Sequence, residues 1–163
     1  PGHWEADLMA FSRYSQNLLM LHERMSRVLI GTRLPSKRAT PVSTAIRAAL
    51  EPLPQPLRQT VTFDNGTEFA RHFLLKAIGT RTFFCDPHAP WQKGGIENAI
   101  GRMRRGLPRK TDLASLDDQR FLSLIALYNA TPRKCLDWKT PAEAFSEQLL
   151  HFERESTSRL SPG

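Results

Sequence analysis

Two apolar segments joined by a three-residue link constrain the fold of this chain more than any other feature. Residues 17–22 and 26–34 are rich in Leu, Met, Val and Ile, which predicts two β-strands, and residues 23–25 form the whole connection. Parallel neighbours need a crossover of about a dozen residues, so these two strands must run antiparallel. Residues 3–10 alternate polar and apolar side chains at first, which predicts a further strand. The chain therefore opens as a three-stranded meander.

The rest of the sequence alternates between helical and strand patterns. In order it predicts a helix with Thr40 as N-cap and Pro41 at its first position, a strand over residues 60–64, a helix closed by Gly79, a strand over residues 81–85, and three more helices. This order predicts an α/β fold with a mixed five-stranded sheet, three antiparallel strands followed by two parallel ones, and helices on both faces.

Length and cysteine content indicate one self-sufficient domain. The chain has 163 residues and two cysteines, which excludes a disulfide scaffold and allows an unaided core. We expect this domain over residues 1–154 and a disordered tail over residues 155–163. No apolar run approaches the ~20 residues of a membrane span, so we expect a soluble, cytoplasmic protein. The chain lacks an initiator Met, and we expect it to be a piece of a longer protein.

Positive charge is concentrated in two stretches of the sequence. The net charge is +7, with 23 Lys and Arg against 16 Asp and Glu. Residues 24–47 hold six basic side chains and no acid, and residues 93–110 hold six more with Glu97 as the sole acid. A solvated face is the commoner explanation of such stretches, and a polyanionic partner, nucleic acid first, is the alternative.

Three acidic residues could together form a site for hard divalent cations. Asp7 lies on the first predicted strand, Asp64 ends a later strand, and Glu97 lies in the basic helix. Carboxylate oxygens are ligands that Mg²⁺ prefers, and two such ions can activate the attacking oxygen and stabilise the leaving oxygen of a phosphodiester. From spacing alone, these three residues are explained equally well as ordinary surface acids.

Five ordered motifs stand out between residues 2 and 145. They are Gly2–Asp7, Asp64–Phe69, Pro87–Asn98, Tyr128–Lys134 and Trp138–Glu143. Together they resemble the catalytic core of bacterial insertion-sequence transposases, in the group of insertion sequence thirty. That group is part of the superfamily of DDE transposases and retroviral integrases.

The resemblance implies a ribonuclease-H-like fold in which Asp7, Asp64 and Glu97 are the catalytic and metal-binding residues. The implied cofactor is Mg²⁺ or Mn²⁺, with two ions. The implied reaction is metal-dependent cleavage of DNA phosphodiesters at element ends, followed by strand transfer by a DNA 3'-hydroxyl. A metal-dependent nuclease of the same fold and a catalytically silent DNA-binding domain remain the alternatives.

DNA is the partner that the resemblance implies, as terminal repeats and as target. We expect a homodimer or higher oligomer on DNA in the bacterial cytoplasm, with no membrane partner. In this family an N-terminal helix-turn-helix region recognises the terminal repeats. We expect a chain without that region to be unable to choose its own site.

Basic residues around Glu97 are the expected DNA contacts. We expect Lys93, Arg102, Arg104 and Arg105 to hold the scissile strand through its phosphates. His88 could contact phosphate or the attacking water, although a role in ordering its loop is the commoner one.

Other residues near the motifs have ordinary explanations that compete with functional ones. Glu5 and Glu68 could be spare metal ligands. Cys85 is expected to be a small buried apolar residue, because a structural zinc site needs four ligands. Trp91 and Trp138 are expected to pack against apolar helix starts rather than to stack on bases.

Overall fold

A central five-stranded sheet organises the molecule. The computed structural model describes residues 1–12 and 16–158. The strands are β1 (His3–Ala10), β2 (Asn17–Glu23), β3 (Leu29–Arg33), β4 (Thr60–Phe63) and β5 (Arg81–Phe84). Their order in the sheet is β3-β2-β1-β4-β5, with antiparallel pairs among β1, β2 and β3 and parallel pairs from β1 to β4 and from β4 to β5. The predicted mixed sheet is confirmed.

Four α-helices cover the two faces of this sheet within the described residues. They are α1 (Ala39–Leu50), α2 (Gly94–Met103), α3 (Asp118–Asn129) and α4 (Pro141–Ser158). Short 3-10 helices occupy Gln55–Leu57, Thr67–Phe69, His72–Ile78, Pro90–Lys93 and Lys134–Leu136. None of the helices among these residues is long and apolar enough to cross a membrane.

Strand alternation divides the core into two clusters. Trp4 and Ala6 of β1 point to one face, where they pack with Val61, Phe63 and the apolar side of α1. Met9 points to the other face, where the cluster includes residues of β2, β3, α2 and α3. Because successive side chains of a strand alternate between faces, Glu5 and Asp7 lie on the α2 side.

Two predicted helices differ from the structure, one in its first residue and one in its type. Thr40 is not the N-cap of α1, because the helix begins at Ala39 and has no side-chain cap. Pro41 is tolerated there since the first N–H groups of a helix have no intrahelical acceptor. Gly79 does end its helix, with the φ angle of +72° that favours glycine, but the segment it closes is a 3-10 helix.

The predicted disordered tail begins too early. Helix α4 continues through Ser158, so the prediction is wrong for residues 155–158. Local contacts support this last turn, since His151 lies 3.5 Å from Glu155 and Ser156 donates to the Phe152 carbonyl. The remaining part of the predicted tail, residues 159–163, lies outside the described residues.

Candidate active site

Three separate elements bring Asp7, Asp64 and Glu97 to one pocket. Asp7 lies within β1, Asp64 follows the last residue of β4, and Glu97 lies in the first turn of α2. All three line a pocket of about 270 Å³, hereafter the acid pocket. The structure thus brings together the three acids that the sequence singled out.

Backbone N–H groups orient the two aspartates. The Asp7 carboxylate accepts a hydrogen bond from the Leu8 N–H at 2.8 Å, and the Asp64 carboxylate accepts one from the Gly66 N–H at 3.0 Å. Asn65, which the sequence analysis did not select, donates to the Cys85 carbonyl at 3.0 Å and ties the end of β4 to the end of β5. The Asp-Asn-Gly turn signal after a strand could have indicated this role.

The ammonium group of Lys93 lies between the two aspartates. Its Nζ is 3.2 Å from Asp7 Oδ2 and 3.4 Å from Asp64 Oδ2, and the side chain is only 4% exposed. The sequence analysis grouped Lys93 with the residues that hold DNA phosphates. In the structure its charge is directed into the acid pocket instead, from the last residue of the Pro90–Lys93 3-10 helix.

Burial changes the acidity of the Asp7 carboxyl. Desolvation raises the pKa of this carboxyl above its ordinary value, and the nearby Lys93 ammonium and the Leu8 N–H oppose that rise without cancelling it. Asp7 is therefore more easily protonated than an exposed aspartate. An added positive charge in the pocket would favour its ionised form.

The donor atoms of the acid pocket fit a hard divalent cation by type. The two aspartates already bind a cationic group, the Lys93 ammonium, and Glu97 supplies a third carboxylate to the same pocket. In this arrangement, however, no three His, Cys, Asp or Glu side chains of the described residues converge closely enough to hold one ion. Asp7, Asp64 and Glu97 are the residues that would hold it.

A buried carboxylate fixes the start of the helix that carries Glu97. Glu5 is 4% exposed and accepts hydrogen bonds from the Ile96 N–H at 2.6 Å and from Arg24 Nε at 2.9 Å. Arg24 also donates to the Gln92 carbonyl at 2.6 Å. Glu5 is thus engaged in holding α2, while Glu68 folds against Gly66, and neither lines the acid pocket.

The basic residues in and around α2 that were predicted to contact DNA have different environments. Arg104 is half-buried, donates to the Ala10 carbonyl at 2.5 Å and lies 4.9 Å from the centre of the Phe11 ring. Arg102 and Arg105 are exposed on a separate groove against α3. His88 is exposed, has a φ angle of +62° and lines the acid pocket.

Two residues near the acids were missed by the sequence analysis. Asp86 lines the acid pocket, and Arg109 lines a neighbouring groove together with Asp7, Glu97 and Arg104. Asp86 directly follows the predicted strand over residues 81–85, which is a position where site residues gather in open α/β sheets. Nothing in the sequence indicated Arg109, because its place depends on the turn that follows α2.

Cys85 is buried, as predicted, but two tryptophans differ from expectation. Trp91 and Trp138 are 75% and 69% exposed, so the prediction that they pack is wrong. Trp91 lies in a single 3-10 turn, and Trp138 has a φ angle of +66° in another turn.

Comparison with known proteins gives clear relatives over most of the chain. The transposase for insertion sequence element IS1086 of Cupriavidus metallidurans is 39% identical over 152 residues, which are 93% of this chain and 45% of that protein. Transposase InsI for insertion sequence element IS30A of Escherichia coli is 39% identical over 143 residues, 87% of this chain and 37% of that protein. The chain is confirmed as a relative of the insertion sequence thirty transposases. No protein-family model matches it.

These relatives also define the limits of the comparison. The chain spans less than half the length of each of the two transposases. Among solved structures, the catalytic core domain of BIV integrase superposes with a TM-score of 0.67, covering 96% of this chain and 98% of that chain at 19% identity. The predicted ribonuclease-H-like fold of integrase cores is therefore confirmed.

Proposed function

We propose that this chain is the catalytic core of a DNA transposase. It would cleave DNA phosphodiesters at element ends and join a DNA 3'-hydroxyl to a second DNA. The observation that carries the proposal is the convergence of Asp7, Asp64 and Glu97 on one pocket of an integrase-type fold. The names of the transposase relatives support the same reaction class.

The proposed cofactor is Mg²⁺ or Mn²⁺, held by the three carboxylates. Two such bound ions would supply activation of the attacking oxygen and stabilisation of the leaving oxygen. Asp7 and Asp64 would bind from adjacent parallel strands, and the Glu5 contact with the Ile96 N–H would keep Glu97 oriented towards them. Lys93 keeps the two aspartates together through its ammonium group.

DNA is the proposed substrate, as element ends and as target, with a homodimer or higher oligomer acting on it. The net charge of +7 favours a polyanionic partner. The exposed guanidinium groups of Arg102 and Arg105, together with His88 at the pocket, are the proposed phosphate contacts. Arg104 is a weaker candidate, because its side chain is engaged with Ala10 and Phe11.

The decisive experiment follows labelled element-end DNA in the presence of Mg²⁺. The full-length protein should release the element end and join a pre-cleaved 3'-hydroxyl end to a second DNA. Asp64→Asn and Glu97→Gln should abolish both steps while DNA affinity stays nearly unchanged. Asp137→Asn is the matched control, because this exposed aspartate lies in a distant turn whose positive φ suits asparagine.

Three results would contradict the proposal in different ways. Cleavage without joining of the pre-cleaved end would identify a nuclease of the same fold. Cleavage that persists in both Asp64→Asn and Glu97→Gln would remove these residues from the chemistry. DNA binding without any cleavage by the wild type would identify a silent DNA-binding domain.

A further inference from the structure

Part of the sheet face next to the acid pocket is left open. The cluster under α2 and α3 takes its strand residues from β1, β2 and β3. On β4 and β5 the same face forms the floor of a groove of about 660 Å³, hereafter the aromatic groove. Its principal lining residues are Arg24, Thr60, Thr62, Arg81, Phe83 and Trp91.

Strand register places the aromatic groove directly beside the acid pocket. Glu5, Thr62 and Phe83 are register partners across β1, β4 and β5 and form one row of the floor. Two residues further along each strand lie Asp7, Asp64 and Cys85, which line the acid pocket. Residues two apart share a face and are about 7 Å apart.

Exposed aromatic rings dominate this groove. Trp91 is 75% exposed and forms one wall, and Phe83 is 48% exposed on the floor. The guanidinium of Arg81 lies 5.9 Å from the centre of the Phe83 ring. Flat aromatic surfaces interleaved with arginine are the arrangement that binds unpaired bases by stacking.

The charge of the groove also suits a nucleotide. Its one carboxylate, that of Glu5, is buried and engaged by Arg24 and by the Ile96 N–H. Arg81 has no carboxylate within ion-pair distance among residues 1–12 and 16–158, and Arg24 remains 44% exposed. Arg24 is already paired with Glu5, so a phosphate entering the groove would meet the unpaired positive charge of Arg81.

We propose that the aromatic groove binds an unpaired nucleotide of the DNA strand adjacent to the phosphate held at the acid pocket, with Trp91 as the stacking surface. The inference rests on the proposed function, because that function places a scissile phosphate about 7 Å away. A base inside a duplex cannot stack on Trp91, since both of its faces are covered by neighbouring base pairs. The groove would thus favour DNA ends that are frayed or single-stranded.

The test compares a blunt duplex with the same duplex carrying a short single-stranded overhang. Wild-type protein should bind the overhang duplex more tightly, and Trp91→Ala should weaken that binding at least about fivefold while blunt-duplex binding is unchanged. Trp91→Phe should restore most of the loss. Trp138→Ala is the matched control, because this tryptophan is equally exposed but does not line the groove.

A fluorescent purine analogue in the overhang gives a second readout. Its emission should be quenched when saturating wild-type protein binds, because stacking quenches it, and should remain bright with Trp91→Ala. Thermal melts of both tryptophan variants should match the wild type, since an exposed side chain contributes little to stability.

Failure of this inference is distinguishable from failure of the proposed function. Equal affinity of Trp91→Ala and wild type for the overhang duplex, or equal weakening on both duplexes, would overturn the groove while metal-dependent cleavage still stands. Overhang preference in a wild type that never cleaves would overturn the function and support the groove. If Trp91→Ala changes the oligomeric state and leaves DNA binding unchanged, the groove binds a second copy of the protein instead of a nucleotide.

Discussion

The charge on single side chains decides how the acid pocket behaves without metal. Two aspartates that face one pocket repel each other, and their separation would rise if nothing lay between them. The Lys93 ammonium at 3.2 and 3.4 Å offsets that repulsion. Removing one partner of a buried ion pair leaves the other charge buried without compensation. The folded protein is therefore less stable with either partner alone than with both.

Replacing Lys93 by methionine tests this balance. Lys93→Met keeps the volume and removes the charge, and in chelator we expect the free energy of unfolding to fall by about 1–3 kcal/mol, discounted because both aspartates are partly exposed. Metal at ten times its dissociation constant stabilises a protein by about 1.4 kcal/mol, and the variant should gain at least this much from Mg²⁺. Thermal melts with chelator and with Mg²⁺ measure both effects.

The control for that variant is an exposed lysine pair. Lys139 contacts Glu147 at 2.7 Å, but both side chains are at least half exposed. Lys139→Met should leave the free energy of unfolding close to that of the wild type, because solvent screens an exposed ion pair. A Lys93→Met protein as stable as wild type in chelator would mean that the ammonium contributes nothing to the pocket.

His22 gives the molecule a pH dependence that can be assigned to one residue. It is 2% exposed, and its Nδ1 has no hydrogen-bond partner in the part of the chain that the structure describes. Burial, with Arg27 as a smaller cause, lowers the pKa of His22 from 6.5 to about 4, while Glu23 acts in the opposite direction. His22 is therefore a neutral imidazole in the folded protein at neutral pH.

The sign of the effect follows from which state binds the proton first. Between pH 6.5 and about 4 the unfolded His22 is protonated and the folded one is not, so stability falls as the pH falls, by up to about 3 kcal/mol. The raised pKa of Asp7 acts with the opposite sign, but it is shared by wild type and variant. Plots of the free energy of unfolding against pH for wild type and His22→Gln should converge towards low pH. Parallel plots would rule out His22 as the source of this pH dependence.

At the scale of elements, the start of α2 is fixed by close contact with the sheet. Gly95 lies so near β1 and β2 that a Cβ there would come within 2.9 Å of Glu5 Oε2 and of the His22 ring. Its neighbour Gly94 has open space within 4 Å. Two adjacent glycines in one motif thus have different reasons to be glycine.

An alanine at each of these glycines should separate the two cases. Gly95→Ala should lower the free energy of unfolding by about 1–3 kcal/mol, because buried Glu5 and His22 cannot move away freely. Gly94→Ala should leave it unchanged or raise it by up to about 1 kcal/mol through reduced chain entropy. Denaturant unfolding of both variants measures this difference, and equal effects would contradict the close approach.

Residues near the C-terminus complete the sheet edge at the same scale. Asn129 at the end of α3 donates to the Leu29 carbonyl at 2.8 Å and accepts from the Leu29 N–H at 2.9 Å. Helix α4 opens with the predicted capping box, in which Glu143 accepts from the Thr140 N–H and Thr140 accepts from the Glu143 N–H. The motifs that first suggested a family signature therefore have structural roles.

Across the whole molecule, the exposed arginines Arg102 and Arg105 line a different groove from the acids that would do the chemistry. Arg102 and Arg105 are exposed on the groove between α2 and α3, whereas Lys93 faces inward. DNA affinity and catalysis are therefore expected to be separable by mutation. Phosphate contacts act on all sequences alike.

Removing the two exposed arginines together should weaken DNA binding without sequence preference. For Arg102→Ala with Arg105→Ala we expect the slope of log affinity against log salt to decrease by about two units. Arg47→Ala with Lys76→Ala is the control, since both residues are exposed on the elements of the opposite sheet face. Binding titrations at several salt concentrations give the slopes, and a sequence-selective loss would argue against phosphate contact.

The sequence by itself determined the opening antiparallel meander, the mixed sheet and the alternation of helices and strands that follows. Short links and side-chain periodicity are local properties, so a meander followed by alternating helices and strands follows from them. The positions of Asp7, Asp64 and Glu97 in strands and a helix made them candidates, and the resemblance to the transposase motifs selected them.

Only the tertiary structure decided what surrounds those acids. Lys93 lies inside the pocket and Trp91 remains exposed, although the sequence favoured a phosphate contact and a packed ring. Glu5 caps α2, a role that the sequence did not indicate. Each of these outcomes depends on contacts between segments far apart in the chain, such as Glu5 with the Ile96 N–H and Lys93 with Asp7. Distances between residues far apart in the chain are set by packing, which periodicity within one segment does not encode.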